Sequence, residues 1–222
     1  MGHHFYMKGY NKPLLLIGLV LFIDQASKIW VKLNMTIGQD FKVLGNKFLI
    51  HFIENNGMAY GLEFGGEMGK LFLTLFRIIA VCGIGYGLHY MVKHKYHRGF
   101  ILNVALIFAG ALGNIIDSTL YGVIFSESTF YTKAVLFPDE GGYSSLFHGK
   151  VVDMLYFPLI EGNFPSWVPF WGGEHFLFFR PVFNIADSAI SVGVFLILLF
   201  QKSYFKQEHE LIESKNSEII ED

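Results

Sequence analysis

The chain is poor in cysteine and in charge. Cys82 is the single cysteine among 222 residues, so no disulfide framework exists, and its apolar surroundings predict a small buried hydrophobe. Charged residues make up only 16% of the chain, against about 25% in an ordinary soluble domain. The net charge of −2 leaves no basic patch to neutralise phosphates, which excludes a nucleic-acid partner. A His-Glu-x-x-His zinc pattern is missing, and His148 and His175 lack ligand spacing, so neither metal nor any other cofactor is expected. A Gly-x-Ser-Gly serine motif is missing too. Ser144 or Ser145 with Lys150 could be drawn as a serine–lysine pair, but they read as a flexible loop.

What is abundant is apolar: 52% of residues are hydrophobic and 17% aromatic, with a mean hydropathy of +0.40. The composition is that of an integral membrane protein. A span takes about 20 apolar residues, and four segments qualify: 13–33, 71–92, 100–120 and 183–204. They predict a single all-α domain, a four-helix membrane bundle. Lys8, Lys12, Lys93, Lys95, Arg98, Lys202 and Lys206 flank one set of helix ends, so the positive-inside rule puts both termini in the cytoplasm. Trp30, Trp167 and Trp171 fall at the opposite ends, where an aromatic belt would sit. The first span reads as an uncleaved helix, because a signal-peptide cleavage pattern would need Asp24 at a small-residue position.

Two extracytoplasmic stretches remain, 34–70 and 121–182. The first alternates in a β-like manner around Phe48–Phe52 and predicts a small sheet, a β-rich cradle against the membrane. The second is an aromatic-rich loop or helix whose proline-broken run 164–171 suits the interface. The stretch 205–222 is a cytoplasmic tail, acidic and weakly patterned from Gln207.

Against this background stand four aspartates, Asp24, Asp117, Asp153 and Asp187. A carboxylate at the centre of a membrane helix costs roughly 2.5–3.5 kcal/mol on insertion scales, so four suggest chemistry. Asp24 lies about 11 residues, roughly 17 Å, above the inner end of its helix. Asp117 and Asp187 sit near outer ends and Asp153 in the outer loop, so all four can meet in the outer half of the bilayer. Asn103, Gly110, Asn114 and Asp117 form one stripe, and Asn184, Asp187, Ser188 and Ser191 a second. Asn103, Gly110 and Ser191 read as helix glue, and so do Gly83, Gly85 and Gly87. Lys28 follows Asp24 at the spacing of an intrahelical pair, and Arg77 could be a counter-ion or a snorkelling side chain.

Two neighbouring carboxylates share one proton, so one can take a proton from water while the other donates to a carbonyl oxygen or leaving amine. Peptide hydrolysis without metal fits; the alternative is a proton-coupled transporter component. A non-enzymatic scaffold would use the polar stripes for association alone.

Five ordered blocks sharpen the choice: Phe22-Ile23-Asp24-Gln25-Ala26-Ser27-Lys28, Asn55-Asn56-Gly57-Met58-Ala59-Tyr60-Gly61, Gly110-Ala111-Leu112-Gly113-Asn114-Ile115-Ile116-Asp117, Gly149-Lys150-Val151-Val152-Asp153 and Phe183-Asn184-Ile185-Ala186-Asp187-Ser188. In these the chain resembles the bacterial lipoprotein signal peptidases, signal peptidase II. The resemblance implies an aspartic endopeptidase of the inner membrane that removes a prolipoprotein signal peptide just before the lipid-modified cysteine. It implies Asp153 and Asp187 as the catalytic pair, with Asp24, Lys28, Asn55, Gly57, Asn114, Asp117 and Asn184 shaping or supporting the site. Expected partners are the prolipoprotein, membrane lipids and a globomycin-type inhibitor, and the chain is expected to be a monomer. One departure stands out: the family's arginine after the Gly-Asn-x-x-Asp block is Ser118 here.

Overall fold

The computed structural model describes residues 2–56, 66–158, 160–163, 165–167, 169–170, 172–178 and 181–220. In chain order these form α1 (Gly2–Asn34), β1 (Asp40–Leu44), β2 (Phe48–Asn55), α2 (Gly66–Lys93) and α3 (Arg98–Ile116). A π-helical turn (Asp117–Tyr121) follows and leads into the short α4 (Gly122–Ile124). Then come β3 (Val151–Tyr156), β4 (Ile160–Asn163), β5 (His175–Phe178), β6 (Val182–Phe183) and α5 (Ile185–Ile220). Among the described residues four stretches are long and apolar enough to cross a bilayer: Gly9–Asn34, Met68–Lys93, Arg98–Ile124 and Ile185–Phe205. The protein is a multi-pass α-helical membrane protein with a small antiparallel sheet, the architecture its sequence predicts.

The chain divides into two compact units, one of Met1–Phe22, Ile78–Leu112 and Ala186–Asp222, the other of Ile23–Arg77 and Gly113–Ile185. The described residues of the first are helical except for the turn 94–97. Ile17, Leu88, Val92, Ile101, Val104, Ala105 and Ala109 form its core, and small residues let backbones meet. A Cβ on Gly110 would lie 2.2 Å from the Ala186 carbonyl oxygen, and one on Gly193 would lie 2.7 Å from that of Asn103. Lipid offers no hydrophobic drive between helices, so such close approach is what holds them. Asn103 adds an interhelical hydrogen bond, its Nδ2 donating to the Tyr204 hydroxyl at 2.9 Å.

Several expectations need correction here. Cys82 is exposed, because a membrane helix turns apolar side chains toward lipid and need not bury them in protein. Ser191 is also exposed, and the buried face of α5 runs through Ala186, Ala189 and Gly193 instead. Of Gly83, Gly85 and Gly87 in α2 only Gly85 serves packing. Its Cβ would meet the Phe108 ring at 2.9 Å, whereas Gly83 faces nothing within 4 Å and Gly87 touches only Met91 at 3.7 Å. Finally, α5 continues to Ile220, as the Glu, Lys, Gln and Leu content of its last turns favours.

The second unit carries the sheet, in the order β1-β2-β3-β6 with every neighbouring pair antiparallel. β4 and β5 make a separate antiparallel pair. β3 reads Val-Val-Asp-Met-Leu-Tyr, and its first four residues are buried on both faces, as a central strand requires. Asp153 therefore belongs to a strand, not to a loop. In β2 the pairing with β3 slips by one residue between Ile50 and Ile53. That bulge inverts the alternation, so Leu49 and Phe52, three apart, are the two buried residues of β2.

Leading into β3, residues 143–149 fold back over the end of the third span. The amides of Tyr143, Ser144, Phe147 and Gly149 donate to the carbonyls of Phe125, Gly122, Thr119 and Ser118. These are oxygens that a helix end leaves without partners. Phe147 takes a φ of +69°, uncommon for a side-chain-bearing residue. It is held there by its amide bond to Thr119 and by the Thr74 hydroxyl, which donates to its carbonyl at 3.1 Å. Gly149 is needed for a different reason: a Cβ would lie 2.0 Å from the Asp117 carbonyl oxygen.

The glycine contacts predict a contrast. Gly110→Ala lowers the thermal unfolding temperature of the detergent-purified protein, because the added methyl meets backbone. Gly83→Ala leaves it unchanged or raises it, since alanine is favoured over glycine in a helix by about 0.5–1 kcal/mol. Equal unfolding temperatures for the two variants would contradict this account of the packing.

Candidate active site

The second unit gathers its acids and amides into one network. It starts on α1, where Asp24, Lys28 and Lys32 recur every four residues and so lie along one helix face. All three are fully buried. Lys28 Nζ stands 2.9 Å from Asp24 Oδ2 and 2.9 Å from Asp117 Oδ2. One ammonium thus joins α1 to the π-turn through two carboxylates. Gln25 closes the same gap, its Nε2 donating to Asp24 Oδ2 and to Asp117 Oδ1, both at 3.0 Å. The Tyr121 hydroxyl donates to Gln25 Oε1 at 3.0 Å, which fixes the amide's orientation. Gln25, Tyr121 and Lys32 were not singled out from sequence, although the four-residue spacing of Asp24, Lys28 and Lys32 was visible there.

From Asp117 and Lys28 the network reaches β3. Asp117 Oδ2 accepts the Val152 amide at 3.3 Å, which pins the strand beside Asp153. Asn114 Oδ1 accepts from Lys28 Nζ at 3.0 Å and from Asn184 Nδ2 at 3.1 Å. Asn184 Nδ2 also lies 2.7 Å from Asp153 Oδ1 and 3.3 Å from the Val152 carbonyl. On the other side, Asn55 Nδ2 donates to Asp153 Oδ2 at 3.3 Å. Asn55 pairs opposite Val151, so it is a diagonal same-face neighbour of Asp153. Each oxygen of the Asp153 carboxylate is thereby held by a side-chain amide, one from β2 and one from the residue between β6 and α5.

The structure thus brings together Asp24, Lys28, Asn55, Asn114, Asp117, Asp153 and Asn184. Asp187 lies in the first turn of α5, in the other unit, and is half-buried. Gly57 and Trp171 lie outside the described residues. Ser118, at the position where the resemblance expects arginine, is buried, and its hydroxyl donates to the Asn114 carbonyl at 3.0 Å. It tightens the turn that carries Asp117 and offers no guanidinium.

The spans and the buried acid–amide network define a multi-pass membrane protein with a polar site set among its helices and sheet. The family model described as Signal peptidase (SPase) II matches residues 16–202. A lipoprotein signal peptidase of Porphyromonas gingivalis is 56% identical over 185 residues, covering 83% of this chain and 80% of that protein. One from Amoebophilus asiaticus is 39% identical over 210 residues, covering 91% and 84%. A bacterial membrane enzyme solved by the in meso method superposes with a TM-score of 0.54 at 26% identity, covering 85% of this chain and 90% of that one. The chain belongs to the signal peptidase II family.

Lys28 is the expected weak point of the network. Removing one partner of a buried charge cluster leaves the rest uncompensated and typically costs about 3–5 kcal/mol. Lys28→Met should therefore lose most of its unfolding free energy in detergent, and adding Asp117→Asn to it should restore part. A Lys28→Met protein as stable as wild type would show that the cluster carries no such strain.

Proposed function

We propose that this chain is a membrane aspartic endopeptidase that removes the signal peptide of diacylglyceryl-modified prolipoproteins immediately before the lipidated cysteine, with Asp153 and Asp187 as its catalytic pair. The activity follows from membership of the family and from relatives that carry the name lipoprotein signal peptidase. The pairing is supported by one observation above others. Asn184, whose amide holds Asp153 Oδ1, immediately precedes α5, and Asp187 follows it by three residues, less than one helical turn.

In such a pair the ionised carboxylate takes a proton from water while the protonated one donates to the scissile carbonyl oxygen. Water oxygen bonds to the carbonyl carbon, giving a tetrahedral intermediate. Its collapse breaks the C–N bond as the acid formed from the first carboxylate protonates the amine, the new N-terminus of the lipidated cysteine, while the second carboxylate recovers its proton from a hydroxyl of the intermediate. Amides on both oxygens of Asp153 keep that carboxylate in one orientation through the cycle.

The same reading puts the protein in the bacterial inner membrane as a monomer, with both termini cytoplasmic, since the basic residues cluster at those helix ends. Its acids then lie toward the outer leaflet, where a diacylglyceryl group sits. Membrane lipids and a globomycin-type cyclic peptide are the further partners.

The test is cleavage of a diacylglyceryl-modified prolipoprotein by the purified protein in detergent. A shortened product is expected, at a rate unchanged by a chelator. Asp153→Asn and Asp187→Asn should each abolish it while leaving thermal unfolding close to wild type. Full turnover by either variant would sink the pairing.

A further inference from the structure

One helical turn beyond Lys28, a second buried charge cluster occupies the opposite face of the sheet from Asp153. Lys32, with no exposed side-chain surface, pairs with Glu54 of β2, whose side chain is only 3% exposed. Its Nζ also donates to the Ser128 hydroxyl at 3.0 Å and lies 5.2 Å from the ring centres of both Phe125 and Tyr143. The second Glu54 oxygen is 3.4 Å from Lys150 Nζ, on the residue that leads into β3. Burying an ion pair is weak evidence for stability, since an apolar pair of similar volume is often as good or better. Its placement suggests another use.

Glu54 pairs opposite Val152, and Asn55 opposite Val151. Successive strand residues face opposite ways, so when Glu54 faces Lys32, Asn55 must face Asp153. The bulge between Ile50 and Ile53 separates this end of β2 from the register that Leu49 and Ile50 set with Tyr156 and Leu155. A one-residue slip would turn Asn55 away from Asp153. Glu54 prevents that slip by tying the end of β2 to α1 through Lys32 and to the start of β3 through Lys150.

We propose that Lys32 and Glu54 are positioning residues for Asp153, acting through Asn55 and setting turnover without touching substrate. The inference rests on the assignment of Asp153 to the catalytic pair. The experiment measures kcat and KM on a diacylglyceryl-modified prolipoprotein, per folded molecule of full-length protein, for Glu54→Gln, Glu54→Asp, the apolar replacement Lys32→Met/Glu54→Leu, and Asp153→Asn as control.

Misplacing a reacting group by about an ångström can cost on the order of 100-fold, so Glu54→Gln is expected to lose about 10- to 100-fold in kcat with KM within about twofold. Glu54→Asp, which keeps the carboxylate, should recover part of the loss. The apolar double variant should fold yet turn over as slowly as Glu54→Gln. If Glu54→Gln does not fold, the double variant decides alone. Wild-type kcat in the folded variants, or a change confined to KM, would overturn the positioning role. Loss of activity in Asp153→Asn together with wild-type kcat in the Glu54 variants would reject this inference alone; an active Asp153→Asn would reject the catalytic assignment beneath it.

Discussion

A single ammonium group organises the second unit. Lys28 Nζ sits at equal distance from Asp24 and Asp117, with no solvent contact on any of the three. In a low-dielectric interior such a cluster persists only when geometry and additional hydrogen bonds compensate for the lost hydration. Here they do: Gln25 reaches both acids, Tyr121 orients Gln25, and Asn114 accepts from the same ammonium. Every later element of the site is measured from this point, because Asp117 and Asn114 also receive donors from Val152 and Asn184.

The same principle of satisfied polar groups explains the route of the chain into β3. The π-turn and the end of the third span leave carbonyls pointing outward, and in a membrane protein no bulk water is guaranteed to meet them. Residues 143–149 supply their amides instead. Tyr143 adds a brace of its own, its phenol oxygen accepting the Lys150 amide at 2.7 Å. Burial pushes that phenol well above its ordinary pKa, so it keeps its proton and neutrality at any working pH. Glycine at 149 then lets the strand start against the Asp117 backbone, where any side chain would collide.

Much of this was legible in the sequence, for identifiable reasons. Membrane spans announce themselves because lipid demands about 20 apolar residues in a row, and the Asp24–Lys28 pair shows in a four-residue spacing. The β2 strand shows in its alternation. What escaped was the strand nature of Val151–Tyr156: a segment buried on both faces has no alternation to read, and its β-branched start was the only hint. Cys82 and Ser191 were misread because rules of burial learned in water were applied to surfaces that face lipid. Lys32 and Glu54, 22 positions apart, carry no local pattern that links them; only the sheet and α1 together bring them into contact. Residues that matched the family blocks could be named without geometry, whereas the residues that hold them in place could not.

Asp117 illustrates why the polar network is not exchangeable for an apolar one. Buried ion pairs elsewhere can often be replaced by hydrophobic side chains at no loss. At this position Lys28, Gln25 and the Val152 amide all donate to one carboxylate. The backbone amide is the decisive member, because it cannot be mutated away and, left without an acceptor, would cost about 1–3 kcal/mol. An apolar residue at 117 would therefore strand a donor in the very strand that carries Asp153. The acid is kept because it fixes β3 in place, and β3 in turn fixes the carboxylate on which the proposed chemistry depends.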